Sequence, residues 1–120
     1  MNSLQKREQS TVTFHPLEYV RDQYADALQL LAAHGYDACI TDTGGGCLAI
    51  EVGPIANSQL LITDPEGPLC DMRKDQTGWA IGFYGEDNGL ILYVITDKKT
   101  AKSLLELLAA AIRTAQLAVD

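Results

Sequence analysis

Apolar residues near the start of the chain recur at intervals of three or four, as they do along one side of a helix. This spacing links Leu17, Val20, Tyr24, Ala27, Leu28 and Leu31. Pro16 suits the first turn of a helix, and Gly35 supplies a stop signal after the last of these positions. The pattern therefore predicts one amphipathic helix over residues 16–34.

The middle of the chain changes to short runs of apolar, β-branched and aromatic residues, which are typical of strands. Five such runs cover residues 36–41, 47–52, 59–63, 79–84 and 90–95. Clusters of Gly, Pro, Asn and Asp separate them. The longest separation, residues 64–78, has no periodicity, and loops of that length tend to be functional or mobile.

The first two runs are joined through a triple glycine at residues 44–46, which can adopt positive φ angles without steric cost. A three-residue loop places Tyr36, Ala38, Ile40, Leu48, Ile50 and Val52 on one face. A two-residue loop instead puts Ile40 beside Cys47 and Glu51. Because a slip of one residue moves every side chain to the other face, we expect the three-residue loop, which gives a uniformly apolar face.

The last two runs flank Asn88-Gly89, a strong signal for a type I′ hairpin. This hairpin predicts one face with Trp79, Ile81, Phe83, Leu90, Leu92 and Val94. It predicts the opposite face with Tyr84, Ile91, Tyr93 and Ile95. An apolar sheet face left open is unusual for a monomer, so this second face is a predicted contact site for a partner or a second copy. The alternative is that the N-terminal residues or the 64–78 loop cover it.

The chain ends in a segment rich in alanine and leucine over residues 101–119, with Asp97 or Thr100 available as the N-cap. The predicted order is thus helix, about five strands, helix, or α-β-β-β-β-β-α. Two helices on one mainly antiparallel sheet form a two-layer sandwich, so the predicted fold class is α+β. Residues 1–12 are predicted to be a flexible tail and residues 13–120 a single domain.

The net charge of −7, from 16 acidic and 9 basic residues, makes direct binding to a nucleic acid backbone unfavourable. An acidic surface can instead dock onto a basic protein. The first residues lack the apolar region of a secretory signal, and no run of about 18 apolar residues predicts a membrane span. Three sparse cysteines without a signal peptide indicate free thiols in a reducing cytoplasm.

The triple glycine beside a thiol, formed by Gly44, Gly45, Gly46 and Cys47, is the strongest candidate for chemistry. A phosphate-binding loop would lead into a helix and end in Gly-Lys-Ser/Thr, whereas this segment leads into a strand. A hairpin turn is therefore the simpler interpretation. Cys39 is expected on the same face as Cys47, opposite or diagonal to it, near disulfide range. We predict no catalytic residue, no metal site and no cofactor, because ligand pairs with close spacing are lacking.

The motif TGGGCLA at residues 43–49, followed by LLITD at 60–64 and GWAIGFY at 78–84, resembles small uncharacterised proteins from actinobacterial genomes and their phages. The resemblance covers roughly residues 16–115 and includes the overall size and the glycine turn between strands. It implies a bacterial or phage cytoplasmic setting, and it implies no activity.

Two hypotheses of function follow from these patterns. The first is a small non-enzymatic interaction module that binds itself or another protein through Tyr84, Ile91, Tyr93 and Ile95; an inhibitor encoded by a phage or mobile element is one version. The second is a thiol-dependent or small-ligand function centred on Cys47 and the glycine turn, which requires a reactive thiol.

Overall fold

The computed structural model describes residues 17–55 and 57–119 of the chain. Its helices are α1 (Leu17–Gln23), α2 (Ala25–Ala33) and α3 (Ala101–Val119), and a single 3-10 turn covers Arg73–Asp75. Its strands are β1 (Ala38–Asp42), β2 (Leu48–Ile55), β3 (Ser58–Thr63), β4 (Trp79–Tyr84) and β5 (Leu90–Thr96). The predicted tail over residues 1–12 and the predicted helix start at Pro16 lie outside the described residues.

The N-terminal helical segment has the predicted extent but is interrupted at Tyr24. The backbone N–H of Tyr24 is shared between the carbonyls of Val20 and Arg21, both at 3.2 Å. Its hydroxyl donates a 2.7 Å hydrogen bond to the carbonyl of Cys70, and its side chain is fully buried. A long-range contact made by one side chain thus coincides with the interruption, and the spacing of apolar residues alone gives no sign of it.

The five strands form one antiparallel sheet in chain order, β1-β2-β3-β4-β5. Strands β1 and β5 are therefore its two edges. The helices contact the same layer, α2 lying against β1 and α3 against β4 and β5. This arrangement confirms the predicted α+β fold and its element order.

The β1–β2 hairpin has the predicted three-residue loop. The backbone N–H of Thr43 donates to the carbonyl of Cys47 at 2.8 Å, and the intervening glycines have φ angles of +130°, +62° and +84°. Ile40 pairs with Ile50 and Ala38 with Val52, so the apolar residues share one face as expected. The strand itself begins at Ala38 rather than at Tyr36.

The β4–β5 hairpin confirms the predicted faces with one exception, Leu90. Phe83 pairs with Leu92, but a register shift follows, and Tyr84 pairs with Leu90. Ile91 is therefore the extra residue of a bulge, and Leu90 lies on the face of Tyr84. The prediction of Leu90 on the inner face is wrong, because parity counted from the turn does not detect an inserted residue.

The core lies between the inner sheet face and the helices. Its largest fully buried side chain is Trp79, whose indole Nε1 donates to the carbonyl of Thr100 at 2.9 Å. Thr100 is also the N-cap of α3, because its hydroxyl accepts a 3.1 Å hydrogen bond from the N–H of Ser103. The start of α3 is thus fixed directly to the core.

Candidate functional site

The outer face of β5 carries a surface of large apolar side chains. Leu90, Ile91, Tyr93 and Ile95 are 57%, 51%, 50% and 58% exposed, respectively. With the half-buried Tyr84 they form what we call the β5 surface. Except for Leu17, they are the large hydrophobic residues that are exposed in the described part of the chain. The structure therefore brings Tyr84, Tyr93 and Ile95 together and adds Leu90 to them. Ile91, the bulge residue, is exposed beside them and also lines a pocket with Phe83 of the inner face.

Small residues on β4 create the floor of this surface. Ile95 lies opposite Ala80, and Tyr93 lies opposite Gly82. A Cβ atom on Gly82 would lie 2.9 Å from the ring of Tyr84, so the missing side chain lets that ring lie across the glycine. On the outer face, Tyr93 and Ile95 therefore have no large side chain directly opposite them on β4.

The same strand is an edge of the sheet. No strand in the described part of the chain pairs with the outer side of β5. Glu86 and Asp87 are exposed just before β5, and Lys98 and Lys99 are exposed just after it. The strand therefore combines apolar side chains, an edge that no described strand covers and opposite charges at its two ends.

The 64–78 loop is anchored on the helix side of the sheet. Leu69 is buried in the core, and its N–H donates to the carbonyl of Leu48 at 2.8 Å. Arg73 reaches the junction of α1 and α2 and the start of α3. The loop is therefore held by its own buried groups, and of the two expectations from its length, functional or mobile, these contacts argue against mobility.

Arg73 holds this loop through a set of contacts that we call the Arg73 clamp. Its guanidinium donates to the side chains of Asp26 and Gln76 and to the carbonyls of Gln23 and Lys99. It also lies 5.2 Å from the ring centroids of both Tyr24 and Trp79. A cation between two aromatic faces, with its donors satisfied, is a structural joint rather than an open anion site.

Asp64 anchors the start of the same loop. Its carboxylate is 4% exposed and accepts hydrogen bonds from the N–H of Thr77 at 2.7 Å, the hydroxyl of Thr77 at 2.5 Å and the N–H of Glu66 at 3.1 Å. Burial on its own raises the pKa of Asp64, but these hydrogen bonds outweigh it, so the pKa is lowered overall. The ionised form of Asp64 is therefore the form that the folded loop stabilises.

Two other groups near the loop have raised pKa values. Burial is the main reason why the pKa of the Cys70 thiol is raised, and the charges of Asp64 and Asp75 add to it. The pKa of Tyr24 is raised mainly by burial and then by the charge of a Cys70 thiolate. Both groups stay neutral near pH 7, which does not favour Cys70 as a nucleophile.

The structure separates the two cysteines of the alternative hypothesis. Cys39 pairs with Glu51, whereas Cys47 is hydrogen-bonded across the turn to Thr43. The prediction that they lie opposite or diagonal to each other is wrong, because the three-residue loop puts them at different ends of the hairpin. Both thiols are free, and both cysteines are exposed. Gly44, Gly45 and Gly46 are exposed as well.

A pocket that the sequence analysis missed lies where the β2–β3 turn, the β4–β5 turn and the end of α3 meet. Its volume is about 360 Å³, and its apolar walls include Ile55, Phe83, Ile91, Ile112 and Ala115. Ser58, Glu86 and Asp87 also line it. The Ser58 side chain is 7% exposed, and its hydroxyl makes no hydrogen bond to any described residue. No sequence signal reveals this pocket, because its walls come from three distant segments.

Two further properties concern only the described residues. They contain no group of three His, Cys, Asp or Glu side chains arranged to hold a metal ion. None of their helices is both long and apolar enough to cross a bilayer. Comparisons with protein-family models, with curated proteins and with solved structures find no match.

Proposed function

We propose that this protein is a small non-enzymatic interaction module that binds a protein, either another copy of itself or a different chain, through the β5 surface. The observation that carries the proposal is the coincidence, on one strand, of a sheet edge that no described strand covers and apolar side chains that are about half exposed. An edge of this kind attracts another strand unless charge, proline or a covering element blunts it.

The chemistry of the β5 surface suits recognition between proteins. Strand addition supplies affinity through backbone hydrogen bonds, and alternate side chains supply specificity. Tyr84 and Tyr93 provide large contact areas with little conformational entropy to lose. The resemblance to bacterial and phage proteins makes the cytoplasm the expected setting, and the net charge of −7 suits a basic partner if the partner is foreign.

Site-specific photo-crosslinking tests this proposal. A photoreactive phenylalanine analogue replaces Tyr93 on β5 and, in a matched control, Thr41 on the outer face of the opposite edge β1. In cells that express the protein, we expect one predominant protein product from position 93, either a dimer or a larger complex, and none from position 41. Equal products from both positions, or none from position 93, would contradict the proposal.

The pocket beside α3 supports a second candidate function, the binding of an apolar small molecule. Its buried Ser58 hydroxyl has no partner in the described residues, and a ligand with one polar group would satisfy it. In this candidate function the ligand site is the pocket and not Cys47. A neutral naphthylamine dye should fluoresce on binding, and Ala115→Phe, which fills the pocket, should remove the signal. A signal unchanged by this substitution would contradict pocket binding.

A further inference from the structure

We propose that a second copy of this chain occupies the β5 edge, pairing antiparallel with its own β5 so that Tyr93 lies on the two-fold axis. This inference rests on the proposed function and names its partner. The two sheets would join into one, with the helices of both copies on the same side.

The geometry of an antiparallel pair restricts the choice of register. Side chains that face each other across two paired strands lie on the same side of the sheet, and side chains alternate along each strand. A symmetric pair that keeps both helix layers on one side must therefore have a residue, not a peptide bond, at its centre. In the middle of β5 the candidates for that centre are Leu92, Tyr93 and Val94.

The Tyr93-centred register matches apolar residues with apolar residues. Leu92 then faces Val94 of the other copy on the inner side, and the two Tyr93 side chains face each other on the outer side. Opposed side chains of these kinds stabilise a strand pair. The bulge at Ile91 lies toward one end of β5 and leaves the central Leu92–Val94 segment regular, where Ile81, Gly82 and Phe83 already pair in order with β5.

The two neighbouring registers are less favourable. A centre at Leu92 pairs only Leu90–Val94 of the two strands and leaves Ile95 and Thr96 opposite residues outside β5. A centre at Val94 pairs only Leu92–Thr96 and leaves Leu90 and Ile91 without a strand residue opposite. The Tyr93-centred register pairs the whole of β5, because Tyr93 is the midpoint of Leu90–Thr96.

The charges that flank β5 complement each other in this register. Antiparallel pairing brings the exposed Asp87 before the strand to the same end of the pair as the exposed Lys99 after the strand of the other copy, and two-fold symmetry creates this arrangement twice. Neither residue forms an ion pair within its own chain in the described part of the structure. The net charge of −7 on each copy is thus offset where the two strands meet.

Charge reversal tests both the partner and the register. Asp87→Lys and Lys99→Glu each replace two attractive contacts by two repulsive ones, so each variant alone should dimerise about ten-fold more weakly than the wild type. Mixing the two variants should form a heterodimer in which both contacts are attractive again. The double variant Asp87→Lys/Lys99→Glu should regain the wild-type dissociation constant, because it exchanges the two charges.

The measurement is the dissociation constant by sedimentation velocity or light scattering, with the melting temperature of each variant as the folding control. Added salt should reduce the differences between variants, because exposed charges are screened. A dimer that weakens with Tyr93→Glu but ignores the charge reversals would overturn the register. A monomer at every concentration, with a cross-link from position 93 to another protein, would overturn this inference and leave the proposed function standing. The absence of that cross-link would overturn the proposed function itself.

Discussion

The Arg73 clamp and the β5 surface lie in the same small domain but differ in how far their side chains are buried and paired within the chain. In the clamp, the polar groups of Arg73 and Gln76 are hydrogen-bonded inside the protein. In the β5 surface, the apolar groups Tyr93 and Ile95 stand half exposed, although burying them would be favourable. The clamp makes its contacts within one chain. The apolar side chains of the β5 surface are buried further only when another surface covers them.

This difference predicts two separable classes of variant. Changes in the clamp or the loop should lower the free energy of unfolding and leave binding intact, because those groups do not reach the outer face. Changes in the β5 surface should remove binding and leave the free energy of unfolding nearly unchanged. The following substitutions test that separation in order of their expected effect on stability.

Gly78→Ala should be the most destabilising change. The glycine has φ +159°, and a Cβ atom there would lie 2.0 Å from the carbonyl oxygen of Thr96, which is backbone and cannot rotate away. We expect a loss of about 3 kcal/mol or more in urea unfolding. Gly67→Ala, where a Cβ atom meets nothing within 4 Å, is the matched control and should be nearly neutral. Equal stability of the two variants would show that the approach of β5 to Gly78 is not a constraint.

Arg73→Met should cost about 2 kcal/mol, because it leaves Gln76 and two carbonyl groups without their donor. The ion pair itself contributes little of this, since the Asp26 side chain is 58% exposed. Lys74→Met, at the next and exposed position, controls for the lost charge. Chemical denaturation measures both variants. An Arg73→Met protein as stable as the Lys74→Met control would refute the clamp as a structural joint.

Asp64→Asn should cost about 1 kcal/mol near pH 6 and less in acid. The pKa of Asp64 is lowered on folding, so its charged form contributes stability above the unfolded carboxyl value of about 4, and this contribution is lost as the pH falls below it. The pKa of Asp26 is also lowered, so its charged form likewise contributes stability that is lost in acid. Melting temperatures between pH 3 and 7 should converge for wild type and variant at the acid end. A constant difference across that range would exclude this linkage, and the exposed Glu66→Gln serves as the control.

Tyr93→Glu should change the free energy of unfolding least, by about 0.5 kcal/mol or less, because the side chain is 50% exposed and packs over a glycine. Its effect on binding should be the largest of all, since it places two like charges at the centre of the proposed pair. Light scattering beside a thermal melt separates the two quantities. A Tyr93→Glu protein that unfolds more easily but still associates would show that Tyr93 contributes to stability and not to binding.

The fold followed from local patterns that tertiary contacts reinforced. Helical spacing, the glycine turn at residues 44–46 and Asn88-Gly89 fixed the element order and the faces of both hairpins, because each depends on neighbours in sequence. The β5 surface followed from the alternation of Tyr93 and Ile95. The error at Leu90 arose because a bulge inserts a residue without a compositional signal.

The Arg73 clamp and the pocket could not be predicted in this way. Several of the residues that Arg73 contacts are 26 to 50 positions away, and the pocket walls come from two turns and the end of one helix. The aperiodic loop was recognised only by its length, whereas its order depends on the burial of Leu69 and Asp64. Such contacts depend on how the elements pack, which spacing in sequence does not specify.

The most direct test of the β5 pairing is amide hydrogen exchange measured across a range of protein concentrations. We predict that protection of Leu90–Thr96 rises with concentration, while that of the other edge, Ala38–Asp42, stays constant. The Tyr93→Glu protein should show no such rise. Exchange in β5 that is independent of concentration, or a rise confined to β1, would contradict the assignment of β5 as the binding edge for a second copy.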